Sequence, residues 1–167
     1  MLIVLANRLL QMLALIALQV LVCNHIHFLG YATPMPYVLF LVYLPLDASR
    51  IGNLLWAFVM GIILDMFSNT PGEAAASLTL AAFVQWPLLH ASAPKDCVED
   101  MVPSYRTMGV WNHVRYVFVL TLVHHAAFYL LEGFSFFHYE EVLITFGAGF
   151  LLSFVLMLAL ETLRHGK

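Results

Sequence analysis

The chain has 167 residues, of which 62% are hydrophobic and only 10% are charged, and its mean hydropathy is +0.88. Soluble domains carry charge on roughly a quarter of their residues, so this composition argues strongly against a water-soluble fold. Seven Lys and Arg residues against ten Asp and Glu residues give a net charge of −3, which leaves no basic surface for nucleic acid. At about 20 apolar residues per crossing, six membrane crossings leave no room for an extramembrane domain.

Apolar runs separated by charges and turn residues predict an all-α integral membrane protein, a compact bundle of six transmembrane helices in one domain over 1–167. The first run has no small-residue cleavage site after it, so we expect a permanent helix rather than a signal peptide. The second run is interrupted by prolines, which allows a tilted, kinked or re-entrant segment. The predicted spans are 2–22, 31–46, 51–67, 74–89, 114–131 and 142–163.

With six crossings, every basic residue of the chain falls at the same face of the bundle. The positive-inside rule makes that face cytoplasmic, so we expect both termini in the cytoplasm. This topology places Cys23 outside and Cys97 inside, which excludes a disulfide between them within one molecule. The basic residues are Arg8, Arg50, Lys95, Arg106, Arg115, Arg164 and Lys167.

Small or polar residues recur at every fourth position of the third predicted span, at Asn53, Ala57, Gly61, Asp65 and Asn69. Such a stripe lets another helix backbone approach closely in lipid, either within the bundle or from a partner. Asp65 lies one turn from the outer end of the span, and a transport or proton role for it stays open. The turn residues that follow predict a tight helical hairpin, in which Gly72 permits the turn's geometry.

Six short runs are similar to a known family in their order and spacing. They are Gln19–Val22 followed by Asn24–His27, then Pro45-Leu46, Gly61–Gly72 (GIILDMFSNTPG), His124-His125 and Phe134–Phe136. Together they resemble the rod shape-determining protein MreD of bacterial cell-wall elongation, particularly forms of the Bacteroides group.

The resemblance implies a non-enzymatic scaffold in the bacterial inner membrane that supports cell shape and lateral peptidoglycan synthesis. MreC is the partner it implies first, together with MreB, a RodA-type glycosyltransferase and a penicillin-binding transpeptidase. MreD-like proteins are also similar in fold to the substrate-capturing subunits of vitamin transporters. A solute-binding or transport subunit is therefore the alternative function, and an enclosed polar cavity that reaches mid-membrane would favour it.

The sequence contains no convincing motif for catalysis or metal binding. His124 and His125 are neighbours on a predicted helix and point about 100° apart, so they do not face one cation together. We expect solvated or interfacial histidines, with one hydrogen-bonded inside the bundle. Ser92–Lys95 matches S-x-x-K, but it lies in a predicted cytoplasmic loop without partner motifs. We therefore predict no catalytic residues, metal or cofactor.

The connection 90–113 is the longest predicted cytoplasmic surface, and Tyr105 and Trp111 in it are expected at the headgroup level, within reach of partners and lipid. On the outer side, 24–36 and 132–141 carry no Lys or Arg and predict an acidic, aromatic rim on which a periplasmic partner docks. The predicted partner-binding residues are Asn53, Ala57, Gly61, Asp65, Asn69, Gly72, Tyr105 and Trp111.

Overall fold

The computed structural model describes residues 2–26, 33–44, 49–92, 102–133 and 139–165, and the regular structure in these ranges is helical throughout. This confirms the all-α prediction. The helices are α1 (Leu2–Leu21), α2 (Leu39–Val42), α3 (Arg50–Ser68), α4 (Glu73–Ser92), α5 (Tyr105–Met108), α6 (Val110–Glu132) and α7 (Tyr139–His165), with 3-10 turns at Cys23–His25 and Pro36–Val38.

Five of these helices are long and apolar enough to cross a membrane, which makes the chain a multi-pass membrane protein. They are α1, α3, α4, α6 and α7, and they correspond to the first and the last four predicted spans. α4 and α6 extend beyond their predicted spans and shorten the connection between them: α4 continues to Ser92 and α6 begins at Val110. Residues 93–101, which include Lys95 and Cys97, lie outside the described residues.

The second predicted span, 31–46, differs from a regular transmembrane helix. In its described part, 33–44, a 3-10 turn begins at Pro36 and continues into the four-residue α2. The segment packs against α1, α4 and α7, and every side chain from Met35 to Val42 is buried. Prolines interrupt the helical ladder here, and irregular backbone at membrane depth is tolerated only where protein encloses it.

Side chains of the neighbouring helices satisfy the backbone of this segment at two points. The N–H of Met35 donates to Oγ of Ser153 in α7 at 2.9 Å. Nε2 of Gln85 in α4 donates to the carbonyl of Leu41 at 2.8 Å. The segment is therefore fixed from both sides, which accounts for its position inside the bundle.

The long helices alternate in direction. The carboxyl ends of α1, α3 and α6 meet the amino ends of α4 and α7 at one end of the bundle, which we call the hairpin end. The five described basic residues Arg8, Arg50, Arg106, Arg115 and Arg164 lie toward the opposite end, the basic end. The predicted segregation of charge holds for these five, while Lys95 and Lys167 lie outside the described residues.

The α3–α4 hairpin is closely packed, as the small residues predict. A Cβ atom on Gly61 would lie 2.3 Å from Cα of Ala75, so glycine alone permits this approach of the two backbones. In the turn, Asn69 has a φ of 57° and Gly72 a φ of 89°, left-handed conformations that these residue types tolerate best. The predictions of close approach at Gly61 and of a glycine-dependent turn at Gly72 are confirmed.

We expect Gly61→Ala to lower the free energy of unfolding by about 1–3 kcal/mol, because the added methyl group meets backbone that has to shift. The matched control is Gly147→Ala in α7, where a Cβ atom meets nothing within 4 Å. Denaturant unfolding of both variants in detergent measures the difference. Equal stabilities for the two variants would contradict the close packing at Gly61.

Candidate functional site at the hairpin end

Asp65 connects the end of α3 to the beginning of α4. Its Oδ1 accepts hydrogen bonds from the hydroxyl of Thr70 at 2.8 Å and from the N–H of Ala74 at 2.9 Å, and its Oδ2 accepts from the N–H of Ala75 at 2.9 Å. The side chain is 8% exposed. Because the first N–H groups of a helix have no partner within it, the carboxylate caps α4 from the neighbouring helix.

Capping gives the buried carboxylate a structural role. The positive end of the α4 dipole and three donors stabilise the negative charge. In return, the charge fixes the position of α4 along α3 at the level where Gly61 brings them together. Close approach and capping therefore support each other.

A cavity of about 600 Å3 opens at the hairpin end. Pockets that hold small organic ligands measure about 300–1,000 Å3, so this one is large enough for such a ligand or for side chains of a partner. Neither Lys nor Arg is among the described residues that line it. They are Gln19, Val20, Asn24, His25, Thr33, Met35, Tyr37, Leu64, Phe67, Ser68, Thr70, Ala74, Phe128, Tyr129, Glu132 and Thr145.

One wall of the cavity is a chain of hydrogen bonds between α1 and α3. Nε2 of Gln19 donates to Oδ1 of Asn24 at 2.8 Å, and Nδ2 of Asn24 donates to Oγ of Ser68 at 3.0 Å. Oε1 of Gln19 is buried and has no hydrogen-bond partner in the described part of the chain. With Glu132 on the opposite wall, the cavity offers acceptors and suits a neutral or cationic group that donates hydrogen bonds.

Two adjacent histidines lie beneath the cavity floor, which Tyr37 and Phe128 help to form. Nε2 of His124 lies 3.1 Å from Oγ of Ser77 in α4. Nε2 of His125 lies 2.9 Å from Oγ of Ser153 in α7, and its Nδ1 lies 3.0 Å from the carbonyl of Thr121. A carbonyl only accepts, so Nδ1 of His125 donates to Thr121. The Ser153 hydroxyl also lies 2.7 Å from the carbonyl of Gly149, so its single hydrogen is shared between that carbonyl and Nε2 of His125.

We expected one hydrogen-bonded histidine inside the bundle, and this expectation is wrong because both His124 and His125 are hydrogen-bonded there. His124, His125 and His113 are each 0% exposed. His124 and His125 point to different helices, as the angle between neighbouring helical residues requires. In the described part of the chain, no three potential metal ligands come together.

The predicted partner-binding residues divide by exposure. Ala57, Gly61 and Asp65 are buried, and Gly61 and Asp65 contact α4, so packing within the bundle accounts for this part of the stripe. Asn69 and Gly72 lie exposed at the tip of the hairpin. A partner reaches this tip directly, while buried residues influence it only through the position of the hairpin.

At the basic end, Trp111 is 78% exposed, whereas Tyr105 is half-buried with its ring centroid 4.6 Å from that of His113. Burial, and then the negative charge of Glu161, raise the pKa of the Tyr105 hydroxyl. Nε2 of His113 lies 3.7 Å from Oε1 of Glu161, and both side chains are buried. Tyr105 thus packs on a polar contact between α6 and α7, and Trp111 is the residue available to lipid or a partner.

Several residues of these sites were not predicted from the sequence. The sequence marks Gln19 as part of the run Gln19–Val22 and Ser77 as a small residue at the start of the fourth predicted span, and it does not indicate the hydrogen bonds or contacts that Gln19, Ser77, Ser153 and Glu161 make. A polar residue isolated within an apolar helix indicates that its side chain has a partner inside the bundle. This pattern does not identify the partner.

We expect Asp65→Ala to lower the free energy of unfolding by about 0.5–2 kcal/mol, because two N–H groups of α4 lose their acceptor. Asp65→Asn keeps one acceptor oxygen and is expected to have a smaller effect. Hydrogen exchange at the Ala74 and Ala75 amides measures the cap directly and should accelerate in Asp65→Ala. Glu140→Gln, which removes an exposed carboxylate at the start of α7, is the control. Unchanged exchange at Ala74 and Ala75 would show that Asp65 is not the cap.

Comparisons of this chain with protein-family models, with curated proteins and with solved structures gave no match. The functional interpretation therefore depends on the geometry described above and on the sequence resemblance to MreD.

Proposed function

We propose that this protein is a non-enzymatic scaffold of the MreD type in the bacterial inner membrane, which binds MreC and supports the rod complex that builds lateral peptidoglycan. The α3–α4 hairpin is the observation that carries the proposal. The run Gly61–Gly72 contributes most to the sequence resemblance, and in the structure it forms a hairpin fixed by Gly61 and Asp65. A rigid hairpin with an exposed tip suits a docking site for a partner better than a role that requires the hairpin to change conformation.

The tip of the hairpin has the composition of a binding surface. Met66 is 79% exposed and Phe67 is 63% exposed, and they are followed by exposed Asn69 and Gly72. Aromatic residues and Met are enriched in protein interfaces because they bury large areas on binding. We assign MreC to this surface, with MreB, the RodA-type glycosyltransferase and the penicillin-binding transpeptidase in the same complex.

The orientation follows from charge. With the basic end in the cytoplasm, the hairpin end faces the periplasm. The enclosed segment 33–44 is then a sixth crossing, and both termini lie in the cytoplasm. This arrangement supports the assignment of MreC, since a periplasmic partner reaches the hairpin tip.

A cysteine-labelling experiment tests this orientation. Cys23 is only 2% exposed and unsuitable as a reporter, so both native cysteines are replaced and single cysteines are introduced as Asn69→Cys at the hairpin end or His90→Cys at the basic end. In spheroplasts, an impermeant thiol reagent is expected to label Asn69→Cys alone, and both variants after permeabilisation. Labelling of His90→Cys alone before permeabilisation would reverse the orientation.

Site-specific crosslinking tests the docking surface. We expect a photoreactive phenylalanine derivative at position 67 to capture MreC in living cells, because Phe67 is exposed beside the hairpin tip. The matched control is the same derivative in place of Leu151, a 60% exposed residue in the middle of α7. Mass spectrometry identifies the captured proteins. Recovery of no rod-complex member at position 67, or equal recovery at both positions, would refute the assigned surface.

The volume of the hairpin-end cavity is the basis of a second candidate function, a solute-binding subunit similar to those of vitamin transporters. About 600 Å3 is sufficient for a small ligand, and among the described residues buried Oε1 of Gln19 has no hydrogen-bond partner. The cavity is open at the hairpin end and its lining residues in α3 and α6 belong to the last turns of those helices, whereas an enclosed cavity reaching mid-membrane would favour this function. The crosslinking experiment distinguishes the two functions, since a solute-binding subunit captures no member of the rod complex.

A further inference from the structure

A second, smaller cavity lies between α3 and α4 at the basic end. Its volume is about 150 Å3, roughly five times the space that a water molecule takes up in the liquid and below the usual range for whole small-molecule ligands. It therefore suits part of a larger molecule, the rest of which stays outside. Its lining residues are Arg50, Asn53, Leu54, Ala82, Phe83, Gln85, Trp86, Pro87 and Leu89, and we call it the basic-end crevice.

Arg50 is the cation among the described residues that line the crevice. Cζ of Arg50 lies 3.5 Å from the ring centroid of Trp86, so the guanidinium stacks on the indole. Stacking holds the guanidinium plane in place and leaves its N–H groups directed outward in that plane. A planar fork of N–H donors matches two oxygens of a phosphate.

The crevice also presents hydrogen-bond acceptors. Oδ1 of Asn53 is buried and has no hydrogen-bond partner among the residues that the structure describes. Pro87 lies inside α4 and has no N–H, so the carbonyl of Phe83, four residues earlier, has lost its helical donor. A ligand that satisfies both sides of the crevice carries a phosphate for Arg50 and N–H or O–H donors for these acceptors.

The surroundings of the crevice are apolar and exposed. Ile51 at the start of α3 is 72% exposed, and Phe83 in α4 is 68% exposed. Trp and Arg at the end of a membrane-spanning bundle are typical of the headgroup level. We propose that the basic-end crevice binds the phosphate of a membrane phospholipid whose headgroup donates hydrogen bonds, with its acyl chains along α3 and α4. This proposal is independent of the proposed scaffold function.

Native mass spectrometry of the full-length protein in detergent tests the proposal with two lipids that share their acyl chains. Dioleoyl phosphatidylethanolamine has an ammonium with N–H donors, whereas the trimethylammonium of dioleoyl phosphatidylcholine has none. We expect the ethanolamine lipid to bind about tenfold more tightly, as a charged hydrogen bond implies. Equal affinity for the two lipids would overturn the proposal.

Substitutions in and outside the crevice provide the controls. Arg50→Gln is expected to weaken binding of the ethanolamine lipid about tenfold, while Arg115→Gln, which removes an exposed charge toward the same end, leaves it unchanged. Asn53→Leu keeps the charge of Arg50 and should reduce the preference for the ethanolamine lipid over the choline lipid. This variant tests the site if Arg50→Gln does not fold. Equal losses in Arg50→Gln and Arg115→Gln would overturn the site. Competition by glycerophosphoethanolamine at the affinity of the intact lipid would overturn the assignment to a membrane lipid.

Discussion

A polar group at membrane depth has no water to bind, so its partner has to come from the protein itself. This constraint decides how the enclosed segment 33–44 is held. Its prolines break the helical ladder, and Ser153 and Gln85 supply the missing hydrogen bonds from α7 and α4. A segment that is satisfied in this way stays inside the bundle, where the five long helices shield it from lipid.

The same constraint explains the hairpin. The amino end of α4 would leave N–H groups unsatisfied, and Asp65 of α3 accepts two of them. This contact requires the helices to be close, which Gly61 permits because a larger residue would meet the backbone at Ala75. Glycine and aspartate one turn apart thus act as a unit. The result is a rigid hairpin whose tip stays exposed.

The two cavities lie at opposite ends of the bundle and differ in chemistry. Acceptors and a carboxylate line the hairpin-end cavity, whose volume is about 600 Å3. The basic-end crevice is about 150 Å3 and combines a guanidinium with unsatisfied acceptors. The first is suited to a hydrogen-bond donor of ligand or side-chain size, and the second to a phosphate-bearing headgroup. The two proposals therefore assign a partner or solute and a lipid to separate ends of the bundle.

The sequence by itself determined the features that depend on local composition. Apolar runs of sufficient length predicted the five long helices, and the positions of the five described arginines predicted the basic end. Gly61 and Gly72 indicated the close approach and the turn. These properties follow from residues near each other in the chain. Tertiary structure alone decided which polar groups meet, because a hydrogen-bond partner depends on the rotation and neighbours of each helix. Ser77 with His124, Ser153 with His125 and Arg50 with Trp86 each join residues at least 28 positions apart, a separation at which hydrophobic periodicity carries no information.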